Sequence, residues 1–120
     1  MFINLSNHSS MDWDKEQRAC AKQYGEIVDL KFPQVDPTGD TEYFDKLANE
    51  YVAKALSLDT NPVVMVQGEF ILTYRIVAKL KSLGIKCVAA QAKRVVEEGI
   101  DYMGQRIKMS MFKFEQFMEY

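Results

Sequence analysis

The sequence predicts an α/β fold of Rossmann-like type, with a mainly parallel sheet flanked by helices and a C-terminal antiparallel hairpin. Three observations predict it. Short apolar segments alternate with segments of helical periodicity, Gly and Pro residues separate them, and Val63–Val66 lacks the polar alternation of a half-exposed strand. A chain of 120 residues, 48% of them hydrophobic, supports one domain over residues 1–120 with one core.

The first strand–helix–strand unit occupies the N-terminal quarter of the chain. Residues 2–5 and 26–31 are apolar enough for two strands of the sheet. Between them, the pattern predicts a helix that begins at about Asp12, whose carboxylate serves as N-cap, and that ends at Gly25. A right-handed crossover then makes the two strands parallel.

The middle of the chain repeats this alternation. A helix begins at Asp40 or Thr41, because its apolar pairs recur at a spacing that only a helix places on one face. The buried strand 63–66 follows, then a helix over 70–83 that Gly84 ends, and a fourth strand over 85–90. Four strands of this kind predict helices on both faces of the sheet.

The last thirty residues predict a different element. Residues 95–101 and 106–114 flank Tyr102-Met103-Gly104-Gln105, a segment typical of an antiparallel hairpin turn. The aromatic residues of this end of the chain fit either the core or a dimer strand.

Composition excludes several classes of function. A formal net charge of −2 argues against charge-driven coating of long nucleic acids, although a local basic pocket is compatible with it. No apolar run is long enough to cross a membrane, which predicts a cytoplasmic protein. Cys20 and Cys87 lie in apolar segments without a CxxC partner, so we expect two buried thiols and neither metal nor cofactor.

Ligands of open α/β sheets bind outside the carboxyl ends of the strands, at the switch point. This rule nominates three loops: 6–10, 67–70 and 91–94. Gly68 precedes a helix, so free N–H groups there would hold an anion, although a tight turn explains the glycine equally well.

The polar side chains of these loops give further candidates, each with a plainer alternative. Ser6 and Asn7 would donate to phosphate oxygens, or only cap a helix. His8, the only histidine, would carry a proton, or only be solvated. Lys93 and Arg94 place two cations where an anionic ligand would lie, or begin an ordinary solvated segment.

Four stretches of the chain carry a recognisable sequence pattern: Ile3–His8, Val66–Phe70 with Thr73-Tyr74, Ala89–Arg94 with Glu97, and Phe114–Tyr120. Together they resemble a small CRISPR-associated family found with type III systems. Members of that family carry a V-Q-G-[DE]-F-x-x-T-Y block, a T-T-[KE]-R-x-x-E block and an F-x-x-F-R-x-Y ending. In this sequence, Gln91-Ala92 replaces the threonine pair, and Met118 replaces the terminal arginine.

That family is similar to the CARF-related ring nucleases, which bind and linearise cyclic oligoadenylates. The resemblance implies a homodimer around a cyclic oligoadenylate and metal-independent cleavage, in which a ribose 2′-OH attacks the adjacent phosphate. It implies His8 and Arg94 as catalytic residues. The implied ligand-binding residues are Ser6, Asn7, Gln67, Gly68, Glu69, Gln91, Lys93 and Arg94.

Other functions are compatible with the same residues. A sensor would bind the ligand in this pocket without aligning it for cleavage. A non-catalytic adaptor or oligomerisation module would use the aromatic C-terminal segment instead, and a regulator would bind a mononucleotide. The ring nuclease needs a cationic central crevice in the dimer, and the adaptor does not.

Overall fold

Five strands and three helices alternate along the chain, and the computed structural model describes all 120 residues. The predicted α/β class is confirmed. The strands are β1 (Phe2–Ser6), β2 (Ile27–Lys31), β3 (Val63–Gln67), β4 (Lys86–Ile100) and β5 (Arg106–Glu119). The helices are α1 (Lys15–Lys22), α2 (Thr41–Leu58) and α3 (Phe70–Ser82).

The sheet has the strand order β2-β1-β3-β4-β5. The first four strands run parallel to their neighbours, and β5 is antiparallel to β4. One face packs Phe2, Met65 and Val88 against Ala21 of α1. The other face packs its buried side chains against α2 and α3, and this is the larger core. The strands are therefore covered by helices on both sides, as their apolar sequences require.

The predicted start of a helix at Asp40 or Thr41 is confirmed, and the predicted N-cap Asp12 is not. Asp40 is the N-cap of α2, because its carboxylate accepts a hydrogen bond from the N–H of Tyr43 at 2.9 Å. The predicted cap Asp12 is wrong. It belongs to a short 3₁₀ turn over residues 10–12, and Asp14 caps α1 by accepting from the N–H of Gln17 at 2.8 Å.

The predicted loop 91–94 is also wrong, because those residues lie within β4. This segment contains neither Gly nor Pro, and β5 offers it pairing partners without interruption up to the pair Ile100↔Arg106. Residues 92–114 thus form one long two-stranded ribbon that projects from the body. The radius of gyration of 17.1 Å reflects this projection, since a compact chain of this length has about 14 Å.

A shift of register lets the ribbon join the body. Gln91 pairs with Gln116 and Ala92 with Phe114, so Glu115 is an extra residue in β5. Phe114 and Phe117 therefore point to the same side of the sheet, with ring centroids 4.8 Å apart. The Phe117 ring also lies 4.9 Å from that of Phe2, which anchors the C-terminal strand in the core.

Both cysteines are free thiols. Cys87 is buried as expected, and burial raises the pKa of its thiol to about 11. Cys20 is only half-buried, because it lies at the edge of the face that α1 presents to the sheet. None of the three helices combines the length and the apolar character that a bilayer crossing demands.

Candidate ligand crevice

An open crevice of about 640 Å³ lies at the carboxyl ends of β1 and β3. Its volume falls within the range of about 300–1,000 Å³ that is typical of small-molecule sites. From β1 the chain continues into β2 on one side of β1, and it later forms β3 and β4 on the other side. The order of the strands therefore reverses at β1, which makes this end of β1 and β3 the switch point of the sheet. The lining residues are Ser6, Asn7, His8, Asp12, Trp13, Asp14, Gln17, Met65, Gln67, Ala90, Ala92, Phe112 and Phe114.

Buried hydrogen bonds shape the loop after β1. The side-chain amide of Asn4 donates to the carbonyl oxygen of His8 at 2.8 Å, and the hydroxyl of Ser6 donates to the same oxygen at 3.1 Å. Ser6 also donates to Oδ1 of Asn4 at 2.6 Å. The backbone of His8 is thereby fixed while its imidazole stays exposed at the crevice.

Asp29 completes this network from β2, opposite Asn4 in the parallel register. Its carboxylate accepts from Asn4 at 2.9 Å, from Ser9 at 3.2 Å and from the N–H of Ser10 at 3.2 Å. Partial burial raises the pKa of Asp29, but these hydrogen bonds outweigh burial and leave the pKa below its usual value.

Sequence reasoning missed Asn4 and Asp29. The available signal was one polar residue at the centre of each of two otherwise apolar strands. Their network lines a second, polar hollow of about 410 Å³ beside the crevice, on the other side of the loop over residues 7–10.

Gln67 bridges β3 and β4 at the crevice wall. The ladder between these strands ends at the pair Met65↔Val88. Beyond it, the N–H of Ala90 donates to Oε1 of Gln67 at 2.9 Å, and Nε2 donates back to the carbonyl of Ala90 at 3.4 Å. The side chain thus replaces the backbone pairing where the strands separate.

At the predicted anion site, the N–H groups of Gly68, Ile71 and Leu72 have partners within the chain. The N–H of Gly68 donates to the hydroxyl of Thr73 at 3.2 Å. The carboxylate of Glu69 accepts from the N–H groups of Ile71 and Leu72 at 3.0 and 2.8 Å and caps α3. A charged side chain of the protein itself therefore occupies the position that an anion would take.

A close approach explains the glycine instead. A Cβ atom on Gly68 would lie 2.5 Å from atoms of the Phe32 ring, which is itself buried. Gly68 and Glu69 are consequently absent from the crevice lining.

The three predicted ligand residues of β4 are separated by strand alternation. Arg94 pairs with Phe112 and shares its face, on the crevice side of the ribbon. Its guanidinium donates to the hydroxyl of Ser110 at 2.7 Å, just outside the lining. Gln91 and Lys93 project from the opposite face and do not reach the crevice.

Tyr120 connects the end of β5 to β3 and β4 below the crevice. The hydroxyl of Tyr120 donates to the carbonyl of Val66 at 2.6 Å, and its N–H donates to the carbonyl of Cys87 at 3.0 Å. Burial raises the pKa of the Tyr120 hydroxyl, which keeps it protonated as a donor. The ending F-x-x-F-x-x-Y therefore has a structural role here.

The crevice carries negative charge and aromatic surface. Asp12 and Asp14 line it, and no Lys or Arg does. Trp13 and Phe112 offer ring surface of the kind on which nucleobases stack. Carboxylates and amides at the rim suit ribose hydroxyls and an exocyclic amine better than phosphates. No group of three or more His, Cys, Asp or Glu side chains is arranged to hold a metal ion.

The fold and the crevice define a Rossmann-like α/β protein with an open switch-point site and a projecting β-ribbon. A family model described as the uncharacterized protein MJ1673 family matches residues 1–118. The chain belongs to this family. No curated protein and no solved structure matches the chain.

Proposed function

We propose that the protein binds a nucleotide ligand in the crevice and that this ligand is a cyclic oligoadenylate. The observation that carries the proposal is the combination of Trp13 and Phe112 with a polar rim at the switch point. Stacking on aromatic rings contributes about 1–3 kcal/mol per base. The resemblance of the sequence to the type III CRISPR-associated family supports the choice of an adenine-containing ring.

Charge favours a sensor over a ring nuclease. Cleavage by a ribose 2′-OH needs cations or free N–H groups at the developing phosphate charge. The crevice of one chain contains neither Lys nor Arg, and the carboxylate of Asp14, which lines the crevice, caps the N-terminus of α1 there. On the crevice side of the ribbon, the cation Arg94 lies two residue pairs beyond the lining residue Ala92 and directly opposite the lining residue Phe112. We therefore propose binding as the primary function.

Cleavage is the second candidate, and the position of His8 favours it. The imidazole lies at the crevice and is exposed, while its backbone is fixed by Asn4 and Ser6. An imidazole that faces the bound ligand from a fixed backbone is suited to proton transfer.

Trp13 is the only tryptophan of the chain and lines the crevice, so its fluorescence reports on this site. The experiment titrates the protein with cyclic tri-, tetra- and hexa-adenylate and with AMP, in the presence and absence of EDTA. We expect saturable quenching by one of the cyclic ligands. Phe112→Ala is expected to weaken it about tenfold, and Leu83→Ala, an exposed apolar residue remote from the crevice, is the matched control.

The outcomes separate the candidate functions. Equal affinity for AMP and the cyclic ligands would favour a mononucleotide regulator. Linear products in the recovered ligand would establish cleavage. The absence of any fluorescence change with all four ligands would overturn the proposal.

A further inference from the structure

The ribbon of residues 92–114 exposes apolar side chains on a face that the chain itself leaves uncovered. This face, opposite the crevice side, is formed by alternate residues of β4 and their partners on β5. Met109 and Met111 are each more than half exposed, and Ile107 is also exposed. An isolated two-stranded ribbon is marginally stable in water, so a covering partner is expected. We call this surface the dimer face; it comprises Lys93, Val95, Glu97, Ile107, Met109, Met111 and Lys113.

The charges of the dimer face are unpaired within the chain. Lys93 lies directly opposite Lys113, an arrangement of like charges that destabilises a ribbon. Neither lysine, nor Glu97 on the same face, takes part in any of the ion pairs of the structure. The cations therefore lack an acidic partner, and Glu97 lacks a basic one.

The order of these residues makes the face complementary to itself. Along β4, a positive, an apolar and a negative residue follow at equal spacing: Lys93, Val95 and Glu97. A two-fold axis at Val95, perpendicular to the strand, reverses this order in a second copy. Lys93 then faces Glu97 of the second copy, and Glu97 faces its Lys93. A patch that matches itself under a two-fold is the requirement for a symmetric dimer.

We propose that the dimer face is the interface of a homodimer in which two ribbons stack face to face in opposite directions. The apolar residues Val95 and Met111 lie at the centre, and the two Lys93–Glu97 pairs flank them. Stacked sheets lie about 10 Å apart, a gap that a lysine and a glutamate side chain span together. This proposal does not depend on the ligand of the crevice, which opens on the other side of the ribbon.

The same arrangement accounts for exposed aromatic residues elsewhere. Tyr102 at the ribbon tip is 98% exposed and lies about 24 Å from Val95 along an extended strand. At that distance the tip reaches the first turn of α3 in the second copy. There Phe70 and Tyr74 are 88% and 73% exposed, on the same side of the sheet as the dimer face.

Charge reversal tests the proposal. Lys93→Glu and Glu97→Lys are each expected to weaken dimerisation at least tenfold, measured by sedimentation over 1–200 μM at about 0.1 M salt, where the Debye length is about 10 Å. The double variant with both reversals restores the pattern and is expected to dimerise like the wild type. The matched control is the double variant Glu98→Lys with Lys108→Glu, a swap of an ion pair on the crevice side.

Lys93→Glu also separates an interface effect from unfolding. The new carboxylate faces Lys113 within the ribbon, so the variant monomer is expected to be at least as stable as the wild-type monomer while dimerisation is lost. A wild type that stays monomeric over this range, single variants that dimerise normally, or a double variant that fails to recover would each overturn the proposal.

Cross-linking gives an independent measurement. In a Cys20→Ser background, Val95→Cys is expected to be joined between two copies by a short bismaleimide cross-linker, because the two copies of this residue face each other at the axis across a gap of about 10 Å, which is too wide for a disulfide. Val96→Cys, on the opposite face of the same strand, is the control and is expected to stay monomeric on a non-reducing gel. Cross-linking at position 96 but not at position 95 would contradict the proposal, because it would place the interface on the crevice side of the ribbon.

Discussion

The side chain of Gln67 pairs with the backbone of Ala90 on both its donor and its acceptor atom. This contact continues the junction of β3 and β4 beyond the last backbone pair and forms a wall of the crevice. A residue that the sequence nominates for ligand binding thus has its hydrogen bonds satisfied by the fold.

Gln67→Ala is expected to lower the free energy of unfolding by about 1–3 kcal/mol, because two hydrogen bonds at a half-buried junction are lost. Urea denaturation followed by circular dichroism measures it. Gln91→Ala, an exposed glutamine on the neighbouring strand, serves as control and is expected to change stability by less than about 0.5 kcal/mol. Equal effects of the two substitutions would show that the bridge does not contribute.

Gly68→Ala is expected to destabilise the protein by about 1–3 kcal/mol, since the added methyl group overlaps the Phe32 ring. The double variant with Phe32→Leu tests the cause. Removing the ring makes room for the methyl group, so the two destabilisations are expected to sum to more than that of the double variant. Strict additivity in urea denaturation would contradict a clash with Phe32.

Asp29→Asn is expected to flatten the acid side of the stability profile. The pKa of Asp29 is lower in the folded protein than its ordinary value near 3.8, so its contribution is present above that value and is lost as the pH falls through the folded pKa. The wild type is therefore expected to lose stability more steeply than the variant between about pH 5 and pH 3. Parallel profiles from urea denaturation at each pH would contradict this assignment.

Arg94→Ala is expected to weaken binding of a cyclic oligoadenylate by about 1–3 kcal/mol and to leave AMP binding unchanged. A ring that extends past Phe112 brings a phosphate near Arg94, whereas a mononucleotide stays within the lining. Trp13 fluorescence titrations at low and high salt measure it, and the loss should shrink with salt. Lys86→Ala, at the opposite end of β4, is the control; an equal loss there would indicate only a general charge effect.

The substitution His8→Ala tests whether the imidazole of His8 takes part in cleavage of the ligand. The substitution keeps the loop intact, because Asn4 and Ser6 bond the backbone of His8 rather than its ring. If the protein linearises cyclic oligoadenylates, we expect product formation to slow by about 10²-fold or more, with a much smaller effect on Kd. A fully active variant would assign cleavage to alignment of the ligand alone.

Local patterns were sufficient to predict the parallel sheet, the start of a helix at Asp40 or Thr41, and the hairpin. These features depend on residues that are close together in the sequence. A strand that is apolar without alternation has to be covered on both faces, and a carboxylate that precedes a helix accepts a hydrogen bond from an N–H group within three residues. The same reasoning failed at residues 91–94, where a long-range partner in β5 extends the strand.

The sequence by itself determined the α/β class, the order of its elements and the switch point where Ser6, Asn7, His8 and Gln67 meet, because these follow from periodicity and chain direction. Only the tertiary structure decided which nominated residues remain free to act. Gln67 is held by the backbone of Ala90, Gly68 makes room for Phe32, and alternation turns Lys93 away from the crevice. Each of these outcomes depends on a contact between distant segments or on the face of a paired strand. No single stretch of sequence encodes such a contact, since its energy arises only when both sides are folded together.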